Sequence, residues 1–194
     1  MKDLVSARSA AKAIGFGLMY GRGPGALAEE LGVSRKEAKE LIQQWFDTFP
    51  SVREYIDWVQ GEARHREDHA VFTCFGRPRR LTSITSTNHG VRAKAERDAI
   101  NAPIQGSASC ITKRAMLLID QDPELGGDCL AGGSLGTQLL LQVHDEIMLS
   151  VPTKDKGKME WANQKLQKLM VEAAQLRVPL RATGGIAYNW AEAK

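Results

Sequence analysis

Between Gln138 and Val151 two apolar runs, Gln138-Leu139-Leu140-Leu141-Gln142-Val143 and Ile147-Met148-Leu149-Ser150-Val151, enclose the tripeptide His144-Asp145-Glu146. Short apolar runs on either side of a polar turn make a buried β-hairpin, here with carboxylates at its tip. Strands on both sides would hold Asp145 rigidly where a divalent cation could sit, and carboxylate oxygen is the donor that Mg²⁺ prefers. One carboxylate does not complete such a site. Two-metal phosphoryl transfer needs at least two, converging from different parts of a chain on ions ~4 Å apart. Without that second group, a short acidic turn is an ordinary solvated turn.

The remaining sequence must supply a core around this hairpin, and it can. Of the 194 residues, 43% are hydrophobic and 25% charged, which excludes disorder and coiled coil. No run approaches the ~18 apolar residues of a membrane helix, so a soluble protein with no membrane partner is expected. Met1-Lys2-Asp3-Leu4-Val5-Ser6 lacks the apolar stretch of a secretory signal, pointing to the cytoplasm. Cys74, Cys110 and Cys129 are odd in number and widely spaced, which favours reduced thiols over disulfides or structural zinc.

The first half reads as helical. Ser6 can cap a helix running through Ala10, Ala11, Ala13 and Ile14 to Phe16 and Tyr20, and Gly21-Arg22-Gly23-Pro24-Gly25 ends it. A short helix from Ala26 to Leu31 is closed by Gly32. Ser34-Arg35-Lys36-Glu37 and Ser51-Val52-Arg53-Glu54 read as capping boxes opening two longer helices, with Pro50 between them. Next, Val71-Phe72-Thr73 and Arg80-Leu81-Thr82 flank Gly76-Arg77-Pro78 as strands flank a turn. Helix returns from about Gly90 to Ile100 and from Gln105 to Asp120, with Pro103 interrupting, and a glycine-rich loop covers 121–137. Beyond the acidic hairpin, a helix from Asp155 to Arg177 and a last strand from Val178 to Thr183 complete an α+β chain.

Two further constellations carry chemistry. Arg8, Lys12, Phe16 and Tyr20 recur every fourth residue, so two cations and two aromatics share one helix face. The cations can hold the phosphates of a triphosphate by charge-assisted hydrogen bonds, while the rings offer flat surfaces to sugar and base. The competing reading is a plain core stripe. In Glu96-Arg97-Asp98-Ala99-Ile100-Asn101-Ala102-Pro103-Ile104-Gln105-Gly106, Arg97, Asn101 and Gln105 are also spaced by four. Their amides and guanidinium suit the minor-groove edge of a duplex, although lone Asn and Gln are usually surface residues. The surrounding stretch carries Arg77, Arg79, Arg80, Arg92, Lys94 and Arg97 against Glu96 alone, a block that fits a phosphate backbone or a solvated face.

Taken together, these segments resemble the C-terminal part of a family A DNA polymerase, the bacterial DNA polymerase I kind. The first stripe is similar to the fingers helix called motif B, and Gln142-Val143-His144-Asp145-Glu146 to the palm hairpin called motif C. Glu96 to Gly106 resembles the family's E-R-x-x-I-N-x-P-x-Q-G segment, Phe75-Gly76-Arg77 its F-G-R-R turn, and Gly184 to Trp190 its C-terminal G-x-x-x-N-W tail. The resemblance implies a fingers subdomain over 1–95 and a C-terminal palm segment over 96–194. It further implies that Arg8 and Lys12 contact the incoming deoxynucleoside triphosphate, with Lys12 as general acid toward pyrophosphate. Phe16 would sit by the sugar, Tyr20 by the template base and His144 near the primer terminus. Arg97, Asn101 and Gln105 would track the minor groove of primer-template DNA. Asp145 would ligate Mg²⁺ with Glu146 beside it, in a site of two ions shared with a partner chain. Single-subunit RNA polymerases typically place serine where Glu146 stands.

The departures matter as much. Thumb, exonuclease and the motif A strand with its second metal-binding aspartate do not occur in the sequence, and Ser107-Ala108-Ser109-Cys110 replaces a segment that often ends in aspartate. Three readings follow: the C-terminal subunit of a split polymerase, a non-catalytic DNA-binding relic, or a fragment of an ordinary polymerase. Met1 immediately before the fingers helix favours the split subunit, and the joint presence of Arg8, Lys12, Asp145 and Glu146 disfavours the relic.

Overall fold

The computed structural model describes residues 11, 14–18, 20–126 and 135–192. It divides into two compact units, Met1–Gly106 and Ser107–Lys194. Together the elements are α+β, mostly helical with two small antiparallel hairpins.

In the first unit, residues 14–18 are helical and end at Gly21, whose φ of +69° admits glycine readily. Arg22 N–H donates to the Gly17 carbonyl at 2.8 Å and Gly21 N–H to Leu18 at 2.9 Å, the paired closure of a Schellman end. Helix α1 (Pro24–Leu31) starts two residues before the expected Ala26 because Pro24, with φ preset, occupies its first turn. Gly32 closes it in the left-handed region. Helix α2 (Arg35–Thr48) opens on the expected box: Glu37 N–H donates to Ser34 Oγ at 3.2 Å, and Ser34 N–H to Glu37 Oε2 at 2.9 Å. Hydrogen bonding from Ser34, from its backbone N–H first and its side chain second, holds the Glu37 carboxyl below its ordinary value. The second box does not form. Helix α3 (Pro50–His65) already begins at Pro50, so Ser51 lies inside its first turn and Phe49 stands at the cap without a side-chain bond.

Strands β1 (Ala70–Phe72) and β2 (Pro78–Arg80) form the first hairpin, with Ala70 opposite Arg80 and Phe72 opposite Pro78. The second strand stops before Leu81, and a 3₁₀ turn over Thr82–Thr85 follows where strand was expected. That turn buries Ile84 among Val59, Ala63, Val71, Leu81, Ala95, Ala99 and Ile100. Helix α4 (His89–Gln121) is continuous, correcting the expected break at Pro103. Pro103 has no N–H for the Ala99 carbonyl, but burial of Ala95, Ala99 and Ile100 outweighs one missing bond. Across this core, Arg64 pairs with Glu96 at 2.7 Å and Tyr55 Oη donates to the Ile100 carbonyl at 3.1 Å, joining α3 to α4. Gly106 runs so close to the hairpin that a Cβ there would lie 2.6 Å from Thr73 Cγ2.

The second unit holds the end of α4, strands β3 (Gln138–Val143) and β4 (Glu146–Ser150), and helix α5 (Lys156–Glu172). Of the expected loop, residues 127–134 lie outside the described set. The strands pair from Gln138 opposite Ser150 to Val143 opposite Glu146, with an irregularity between Leu139 and Leu141 that leaves Leu140 out of the ladder. The hairpin is not buried as expected. Ile147 and Leu149 pack with Ile119, Leu125, Ala162 and Leu169, whereas Leu140 is 57% exposed and Leu141 is exposed too. Asp155 caps α5, accepting from the N–H groups of Gly157 and Lys158, and the helix stops at Glu172 instead of Arg177. No strand forms over 178–183, and both sheets among the described residues have two strands. The tail instead crosses α5 at Gly184, where a Cβ would lie 2.0 Å from Asn163 Oδ1.

Lys165 of α5 bonds Asp122 at 2.9 Å and Glu124 at 3.1 Å. Burial pushes the Asp122 carboxyl up, but hydrogen bonds from Lys165 and from the Leu125 and Glu124 N–H groups outweigh it and hold the carboxyl below its ordinary value of 3.8. The Asp122 and Glu124 hydrogen bonds raise the Lys165 ammonium above 10.5. A depressed carboxyl stabilises the fold above its unfolded value and loses that contribution as pH falls through its folded value. The melting-temperature gap between wild type and Asp122→Asn is therefore expected to shrink as pH drops below 3.8. A gap unchanged in strong acid would contradict this linkage. Among the described residues no helix is long and apolar enough to cross a membrane.

Candidate functional site

Of the four stripe residues, Arg8 and Lys12 lie outside the described set. Phe16 and Tyr20 stack with ring centroids 6.2 Å apart and planes 11° from parallel, and they are 53% and 44% exposed. Ile14 and Leu18, on the other side of the same turns, are buried against Leu27 with Leu31, Leu41, Ile42, Trp45 and Phe46 around them. The core here is thus built by the aliphatic face, and the aromatic face is left accessible in this unit. That disposition is what a flat ligand surface requires and what a core stripe would not show.

Because α4 does not break, Arg97, Asn101 and Gln105 share one side of a single helix, Arg97 and Gln105 exposed and Asn101 half-buried. The Asn101 amide donates to the Arg97 carbonyl at 3.0 Å, a local bond that steadies this stretch. Glu96 turns the other way, toward Arg64 at 2.7 Å and Arg92 at 3.9 Å. Lys94 pairs with Asp98 at 2.8 Å, so part of the basic block is neutralised within α4. Arg77, Arg79 and Arg80 remain exposed on the β1–β2 hairpin. One adjacency had no sequence signal: Gly21, next to Tyr20, lies directly against the side chain of Arg97. Residues 76 positions apart in the chain touch, and no spacing rule reaches that far.

In the second unit, His144 and Asp145 form a two-residue turn, and Glu146 is already the first residue of β4, opposite Val143. His144 is left-handed, with φ of +53°, and its carbonyl accepts from Gln142 Nε2 at 2.5 Å. That bond fixes a conformation that non-glycine residues adopt only rarely. His144, Asp145 and Glu146 are all exposed. The Asp145 and Glu146 carboxylates are hard oxygen donors of the kind Mg²⁺ prefers, yet among the described residues no three His, Cys, Asp or Glu side chains gather into a metal cluster.

Comparison with known proteins is consistent along nearly the whole length. The model of DNA polymerase family A matches residues 4–192. DNA polymerase I of Streptococcus pneumoniae serotype 4 is 44% identical over 187 residues, covering 96% of this chain and 20% of that protein. DNA polymerase I of Bacillus caldotenax is 42% identical over the same length, again 96% and 20%. Among solved structures, the POL domain of Pol1 from M. smegmatis, in complex with DNA primer-template and dNTP, matches with a TM-score of 0.78 and 40% identity, over 90% of this chain and 29% of that one. The chain spans about one fifth of the length of these DNA polymerase I relatives. It belongs to DNA polymerase family A.

Proposed function

We propose that the chain forms the fingers, over 1–95, and the C-terminal palm, over 96–194, of a DNA-directed DNA polymerase. It would act once a complementary polypeptide supplies the thumb and the motif A aspartate. The observation that carries this reading is the exposed Phe16–Tyr20 stack ending at Gly21 against Arg97, because it sets the proposed nucleotide face beside the proposed duplex-reading face within one unit.

In this reading Arg8 and Lys12 grip the triphosphate, Phe16 supports the sugar and Tyr20 stacks by the template base. Arg97, Asn101 and Gln105 line the minor groove, where pairs of correct shape present acceptors at equivalent places. His144 lies near the primer terminus. As the primer 3′-hydroxyl, losing its proton to water, attacks the α-phosphate, the bond to pyrophosphate breaks, and Lys12 gives its proton to the departing group. Asp145, with Glu146 beside it, would hold Mg²⁺, whose chemistry when bound is to stabilise the attacking and leaving oxygens of an in-line displacement. The exposed Leu140 and Leu141 of β3 support a further strand or partner chain at this hairpin, since apolar edge residues invite cover. Primer extension with Mg²⁺ tests the proposal: it is expected when the chain is mixed with a polypeptide bearing motif A, and its absence from that mixture would favour a non-catalytic DNA-binding module.

A further inference from the structure

Two glycines, Gly21 and Gly32, both close helical turns in the left-handed region, with φ of +69° and +67°. Backbone conformation alone accounts for Gly32, since a Cβ there would meet nothing within 4 Å. It does not account for Gly21. A Cβ at that position would lie 2.6 Å from Arg97 Cγ, 3.3 Å from Cδ and 3.5 Å from Cβ, so the whole aliphatic stem of Arg97 runs along the bare backbone of Gly21. The Arg97 backbone is steadied in turn by the Asn101 amide, and its neighbour Glu96 is engaged by Arg64.

We propose that Gly21 is a positioning residue: its missing side chain is the seat that aims the Arg97 guanidinium along the duplex-reading face of α4. A long, flexible arginine loses rotamer entropy whenever it is fixed by a ligand, and a stem already seated loses less. The seat also links the two ligand faces, because the turn that ends the Phe16–Tyr20 stack is the surface on which Arg97 rests. Formation of that turn and groove contact by Arg97 favour each other, as any coupling between two sites must. The inference rests on the polymerase reading for the identity of the ligand, and on the geometry alone for the seat.

A mutant cycle on the full 194-residue chain separates the two. In thermal melts, Gly21→Ala is expected to lower Tm more than Gly32→Ala, which carries the same backbone strain without the collision. Removing the stem with Arg97→Ala is expected to reduce the Gly21→Ala penalty to that of Gly32→Ala, a rescue that also serves if Gly21→Ala alone does not fold. In fluorescence anisotropy with a labelled primer-template duplex at low salt, Gly21→Ala and Arg97→Ala are each expected to weaken binding about tenfold, the double variant no further, and Gly32→Ala not at all. Equal Tm losses at Gly21 and Gly32 with no rescue would overturn the seat. Equal losses of affinity from the two glycine variants, or additive losses in the double variant, would overturn the positioning role while leaving the polymerase reading intact. Failure of the wild-type chain to bind the duplex would overturn the groove role, whereas the polymerase reading stands or falls on primer extension by the mixture and the melting cycle still decides the seat.

Discussion

Replacing Asp145 by Ala is expected to lower the rate of primer extension by the assembled polymerase by about three orders of magnitude or more, with little change in its binding of DNA. Asp145 is exposed at the turn of the β3–β4 hairpin, so its side chain does not contribute to the core formed by Ile119, Leu125, Ala162 and Leu169. The turn is held by backbone pairing and by the Gln142 bond to the His144 carbonyl, neither of which uses the aspartate carboxylate. In the proposed site, loss of the carboxylate would therefore remove a cation ligand while the fold remains. Rapid-quench extension measures the rate, and an unchanged melting curve confirms the fold. A loss of only a few-fold would show that the hairpin carboxylate does not hold the catalytic cation.

Lys12→Ala is the second large effect. A cation on the triphosphate that also gives a proton to pyrophosphate interacts more strongly as charge builds on the leaving group. Both kcat and kcat/KM for nucleotide incorporation are then expected to fall, by about a hundredfold or more, within the usual range for a general acid. Arg8→Ala, which in this reading would remove a ground-state phosphate contact, is expected to act chiefly on KM. If Lys12→Ala raised KM and left kcat unchanged, the lysine would be a binding group only, and the proton would come from elsewhere.

What the sequence announced was mostly local. Ser34 and Glu37 satisfy each other across three residues, Gly32 closes α1 in the one backbone region that favours it, and the apolar runs about His144-Asp145 pair as strands. Each signal lies within a few residues of its effect. Of the misreadings, those at Pro103 and over 178–183 have the opposite property. Pro103 was expected to break a helix that persists because Ala95, Ala99 and Ile100 are packed against α3 and β1. Ser51 looked like a cap, but Pro50 before it had already begun the helix. Val178 to Thr183 has the composition of a strand yet pairs with neither hairpin among the described residues. Among site residues, the family motifs named Phe16, Tyr20, Arg97, Asn101, Gln105, His144, Asp145 and Glu146, and the exposure of the aromatic pair follows from Ile14 and Leu18 taking the core face. The contact of Gly21 with Arg97 and the crossing of Gly184 over Asn163 are tertiary close approaches, for which glycine in a sequence is only a silent permission.

Primer extension by the purified chain, alone and mixed with a polypeptide bearing the family's motif A strand and thumb, tests the central claim most directly. Template-dependent extension in Mg²⁺ is expected from the mixture and not from the chain alone, because in the proposed reading Asp145 and Glu146 would supply one side of a two-ion site, and among the described residues no three His, Cys, Asp or Glu side chains gather into a metal cluster. Sustained, template-directed extension by the chain alone, abolished by Asp145→Ala, would contradict the account and place a complete metal site within these 194 residues.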